Sequence, residues 1–125
     1  MSVRRQEQTL LSSAARTAAI SSAEVSAEEV LSSEFVFDIS LDPASASITL
    51  TIEGKDPLSG NWYTILAGAA KAAVGTTVMR VGPSIIAAAN VAANAILPAK
   101  FRVSVAVADT DSMTYSVGVT HVIDN

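Results

Sequence analysis

The sequence contains no cysteine. A disulfide framework, a thiolate nucleophile and a Cys-ligated zinc are therefore excluded, and the redox compartment is left open. Charge is scarce. Only 16% of the 125 residues are Asp, Glu, Lys or Arg, against about 25% in an ordinary soluble domain. The net charge of −4 has the wrong sign for gripping a phosphate backbone with clustered Lys and Arg, so no nucleic-acid partner is expected. Long apolar runs are missing too: no window of about 18–20 residues is uninterrupted, so neither a transmembrane helix nor a membrane partner is expected. Arg4 and Arg5 are followed by Glu7 and Gln8 rather than by an apolar stretch, which does not fit a secretory leader.

What fills the chain instead is Ala, Val, Ser and Thr, with half of all residues hydrophobic. A chain of this length reads as one domain with a real core. With few charges to spread over its outside, part of that outside is expected to be covered by copies of itself or by a partner.

The strongest pattern is period-2 alternation, which gives a strand one buried and one wet face. Phe35, Phe37, Ile39 and Leu41 alternate with Val36, Asp38 and Ser40. Ile48, Leu50 and Ile52 alternate with Thr49, Thr51 and Glu53, and GKDPLSGN at 54–61 then reverses the chain into WYTIL. TTVMRV at 76–81 is rich in β-branched residues. Phe101, Val103, Val105 and Val107, then a turn at 109–112, then Met113, Tyr115, Val117 and Val119 complete the set. Gly118 inside its strand predicts a bulge or a close backbone approach. The expected fold is all-β, an antiparallel β-sandwich or jelly roll over residues 34–125, preceded by an N-terminal arm at 1–33. Residues 1–8 read as loose, 9–20 as a strand or short helix, and 21–33 as a short helix or linker. Ala-rich SIIAAANVAANAIL at 84–97, with Ser84 as N-cap and Pro98 as stop, predicts a short helix; an irregular loop is the alternative, since Asn90 and Asn94 interrupt it.

No constellation of catalytic residues is complete. His121 is the one histidine and sits in a strand, away from any nucleophile elbow. A metal site would need carboxylates converging on it. Asp109 and Asp111 have the spacing of half a calcium loop but lack its Gly and terminal Glu, and read as turn residues. Lys55 after Gly54 lacks the Walker spacing. No cofactor, metal or catalytic residue is expected. The candidate contact residues are Arg4, Arg5 and Arg16, which make the arm locally basic, and Trp62 and Tyr63, adjacent aromatics that alternation sends to opposite faces.

The elements SSAART at 12–17, FVFDISL at 35–41, ITLTIEGKDPLSGNWYTILAGAA at 48–70, TTVMRVGPSI at 76–85, ILPAKFRVSV at 96–105 and DSMTYSVGV at 111–119 together resemble a group of small structural proteins of tailed bacteriophages. The resemblance implies a non-enzymatic virion protein, foremost a decoration or cement protein on the capsid surface. Its partners would be the major capsid lattice and its own copies, commonly as a trimer. A tail or head–tail connector component, or a carbohydrate-binding β-module aiding host adhesion through Trp62 and Tyr63, are the alternatives. The chain departs from the family pattern at 21–33, where AEVSAEEVL replaces a polar, turn-rich loop.

Overall fold

The alternating segments form strands in the computed structural model, which describes residues 3–124. β1 is Val3–Arg16, β2 Ile20–Ser21, β3 Val25–Ser26, β4 Val30–Leu41 and β5 Ile48–Lys55. β6 is Trp62–Ala67, β7 Gly75–Gly82, β8 Ala92–Asn94, β9 Lys100–Val107 and β10 Met113–Asp124. One sheet has the order β1-β10-β4-β7-β8; the other has β2-β9-β5-β6, with β3 also on β9. The chain therefore crosses repeatedly between sheets. β10 returns to lie between β1 and β4, and β9 lies between β2/β3 and β5. This is the connectivity of a jelly roll. All pairings are antiparallel except β7 with β8.

Residues 1–33 do not stand apart from these sheets where they are described. Val3–Arg16 pairs along β10, from Val3 opposite Asp124 to Arg16 opposite Met113. Residues 3–8, expected to be loose, are thus part of a strand, because Val119–Asp124 of β10 supplies a free ladder that outweighs their weak apolar pattern. Residues 21–33 form no helix: they are extended apart from a turn at 28–29, where Glu29 has a φ of 65°. Ser22 N–H donates to the Val103 carbonyl at 2.9 Å, and Ala27 N–H to the Ala99 carbonyl at 2.8 Å. A short isolated helix has no comparable support.

The expected helix at 84–97 does not form. Ser84 and Asn90 adopt left-handed backbone, with φ of 65° and 68°, which ends helical propagation. The Asn94 side chain accepts from Ser84 N–H at 3.1 Å, and the Asn90 amide donates to the Ala67 carbonyl at 3.1 Å. Ala92–Asn94 instead pairs with Arg80–Gly82. Sheet-edge hydrogen bonds override the propensity of alanine.

The core lies between the inner faces. Phe35, Phe37, Leu50, Ile52, Met79, Phe101, Val103, Val105 and Val117 are at most 1% exposed. Each such side chain stabilises the fold by about 1.5–3 kcal/mol relative to exposure. Phe35 meets Phe101 edge-to-face at 5.9 Å, and Phe37 meets Tyr115 at 5.6 Å. Gly118 sits opposite Thr9, where β1 carries an extra residue at Leu10 before Leu11 resumes pairing with Val117. The bulge expected at this glycine is on its partner strand.

Candidate interaction surface

Several residues able to do chemistry are used to hold the fold. His121 lies on the inner face of β10, where burial holds its imidazole below the usual histidine range. Its Nδ1 shares a 2.6 Å hydrogen bond with the Ser33 hydroxyl on β4. Phe101 packs edge-to-face on the ring at 5.6 Å. His121 Nε2 is buried with no partner. Serine and histidine are thus adjacent, yet at 4% and 2% exposure neither can meet a substrate, and Ser33 occupies the nitrogen that a triad gives to its carboxylate. Asp109 accepts from Asp111 N–H at 3.0 Å, a local turn. Lys55 and Lys100 both reach Glu24, at 2.6 and 3.4 Å. The hydrogen bond from Lys55 holds the Glu24 carboxyl below its ordinary range. Among the described residues no group of three His, Asp or Glu is placed to hold a metal.

Three features of the solvent-facing surface stand out. The first is the edge strand β1. From Val3 to Thr9 both of its faces are exposed, and Leu11 is its one buried anchor. Arg4 and Arg5 project from this stretch. Arg16 does not join them: its guanidinium lies 4.7 Å from the Tyr115 ring centre and donates to the carbonyls of Tyr115 at 2.9 Å and Ser12 at 2.6 Å. It fastens the end of β1 to β10.

The second is the outer face at β5, β6 and β9. Trp62 is half-buried there beneath Arg102, whose guanidinium carbon is 4.3 Å from the ring centre. Arg102 is itself paired with Glu53 at 2.8 Å. The indole face that would stack on a sugar is thereby covered on one side by a tethered cation. Tyr63 points to the other side of the strand. Its ring closes over Gly54, where any Cβ would lie 2.7 Å from both Tyr63 Cζ and Pro98 Cγ. The two aromatics therefore share no platform. They also lie on the side of the sandwich where β6 neighbours β8, across the sheets from Arg4 and Arg5 on β1.

The third is a set of exposed aliphatic side chains that periodicity does not mark. Leu58, Ile86, Ile96 and Val74 are 95%, 90%, 74% and 61% exposed. Leu58 caps the β5–β6 hairpin, which is held rigid because Asp56 accepts from Ser59 Oγ at 2.7 Å and from Leu58 N–H at 3.0 Å. These hydrogen bonds, that from Ser59 foremost, hold the Asp56 carboxyl below its usual value. The hairpin and residues 98–100 border a groove of about 460 Å³. The available signal was an aliphatic residue placed inside a turn, between Pro57 and Ser59, where no core position exists.

No family model and no curated protein matches the chain. Among solved structures, it is similar to a chain in the structure of infectious bursal disease virus, Gx strain, with a TM-score of 0.49 and 14% identity. That similarity covers 97% of this chain and 32% of the viral one, so the chain spans about a third of that protein's length.

Proposed function

We propose that this chain is a non-enzymatic structural protein of a virus particle, specifically a decoration or cement protein on the outer surface of a tailed-phage capsid. One observation carries the reading. A jelly roll buries its Ser33–His121 pair and ties several of its ions to one another, while presenting an open strand edge and isolated, exposed aliphatic side chains. Such a surface is suited to contact, not to turnover. The resemblance of residues 9–123 to phage structural proteins supports the same class, and viral capsid domains are a recurrent use of the fold. Function is not entailed by fold, so the surface chemistry bears the argument.

The partners on this reading are the major capsid lattice and other copies of the chain. Each aliphatic contact is modest. Many copies on a repeating lattice gain affinity through effective concentration and bridge neighbouring capsid subunits. The test is addition of the purified chain to capsids lacking it. The expected results are saturable co-sedimentation and a higher temperature of capsid disruption. Leu58→Asp, at an exposed hairpin tip, should weaken binding without altering the chain's own melting. Absence of co-sedimentation at any concentration would refute the reading.

A further inference from the structure

We propose that the N-terminal half of β1 pairs antiparallel with the same segment of a second copy, across a two-fold axis at Gln6, joining two first sheets into one. Among the described residues β1 is hydrogen-bonded on one side only, by β10, and is an edge of its sheet. Edge strands are usually blunted against such pairing. Here the blunting is uneven. Between Thr9 and Ala14 two register shifts break the regular ladder, and Arg16 reaches the carbonyls of Ser12 and Ala14 at 2.6 and 3.4 Å. From Val3 to Thr9 the register is unbroken, each residue facing one partner from Asp124 to Gly118. That half of the edge is regular and uncovered.

Its charges choose the partner. In a two-fold antiparallel pair, residues opposite one another share a face, so the axis must pass through a residue. Centred on Gln6, Arg5 faces Glu7 of the other copy, and Glu7 faces its Arg5. Val3 then faces Thr9, Arg4 faces Gln8, and Gln6 faces itself. Both copies gain an oppositely charged cross-strand pair on the outer face, the favourable arrangement. Moving the centre to Arg5 sets arginine against arginine. Moving it to Glu7 sets glutamate against glutamate. Like charges directly opposite are destabilising, so the two neighbouring registers are disfavoured and Gln6 is selected. On the inner side the side chains of Arg4, Gln6 and Gln8 are themselves exposed, beside the buried Ile123, His121 and Val119 of β10. The contact is isologous and closes as a dimer, where the family resemblance implies a trimer. It needs no capsid and stands or falls apart from the capsid reading.

Sedimentation of the purified full-length chain tests this. Wild type is expected to be a dimer that dissociates on dilution and in high salt. Arg5→Glu and Glu7→Arg each set like charges opposite one another and should weaken dimerisation at least tenfold. The double variant R5E/E7R restores opposite charges in the same register and should recover it. All these side chains are exposed, so circular dichroism should be unchanged throughout. A monomeric or trimeric wild type, a dimer indifferent to the single changes, or a double variant no better than the singles would overturn the proposal.

Discussion

His121 carries a pH dependence into the core. Its Nδ1 is satisfied by Ser33, while Nε2 is buried without a partner, so a proton added to the folded ring brings an unsolvated charge. In the unfolded chain the ring titrates at its ordinary value of 6.5. Because burial depresses the folded value, the unfolded state binds more protons below pH 6.5. Stability is therefore full above that pH and falls as pH drops toward the folded value, by at most about 1.4 kcal/mol per pH unit. Thermal melts between pH 6.5 and 5.5, above the carboxylate range, should show this loss in wild type and a flat profile in His121→Leu. Equal slopes would contradict the assignment. Val105 gives the complementary prediction. It is 0% exposed at the centre of β9, paired with Leu50 on one side and Ile20 on the other. Val105→Asp should cost about 3–5 kcal/mol or prevent folding, as read by urea denaturation. A normally stable variant would mean that the inner face is misassigned.

Among the elements, β1 is the one whose removal has the widest consequence. Its single core side chain, Leu11, is 6% exposed, and Leu11→Ala should cost about 2–5 kcal/mol. Deleting residues 1–16 uncovers the whole of β10, whereas deleting 1–8 uncovers its Val119–Asp124 half. Melting temperatures should fall in that order, with aggregation for the longer deletion, since an uncovered edge invites further pairing. Equal stability of both truncations with full length would contradict the role given to β1. A second element-level test concerns the departure from β6. Gly68 N–H donates to the Leu50 carbonyl at 2.8 Å, and a Cβ there would stand 2.7 Å from that oxygen. Gly68→Ala must separate the two strands locally and should cost about 1–3 kcal/mol in a chemical melt. The strands at 35–41, 48–52, 101–107 and 113–119 were legible because alternation is a property of single strands. The fate of 84–97 was not. Its alanines favour helix locally, and only the ladder offered by Arg80–Gly82, distant in sequence from Ala92–Asn94, decides otherwise.

For the molecule as a whole, the all-β sandwich class followed from alternation and turn spacing, but the strand order did not, because it depends on pairings between segments remote in sequence. The surroundings of the candidate contact residues followed only in part. Arg4 and Arg5 stand exposed on β1 as their polar setting suggested. Arg16 is drawn into the fold by Tyr115, and Trp62 is covered by Arg102; both partners are remote in sequence and invisible to periodicity. Ile96 looks like core in the sequence until the fold shows it 74% exposed, whereas the exposure of Leu58 is signalled by its place in the 54–61 turn. The sparse charge of the chain now has a physical location: several of its ions are spent in pairs, Glu24 with Lys55 and Lys100, Glu53 with Arg102, and Glu34 with Arg80. Exposed aliphatic side chains on loops and an open edge that carries Arg4, Arg5 and Glu7 also face outward. The most direct measurement of the central claim is a cryo-EM map of the purified particle whose genome encodes this chain. The account predicts a ten-stranded jelly roll in repeated copies on the outside of the shell, with the Leu58 hairpin or another exposed aliphatic loop seated on the lattice. A particle of complete, interpretable density in which this chain is absent would contradict it.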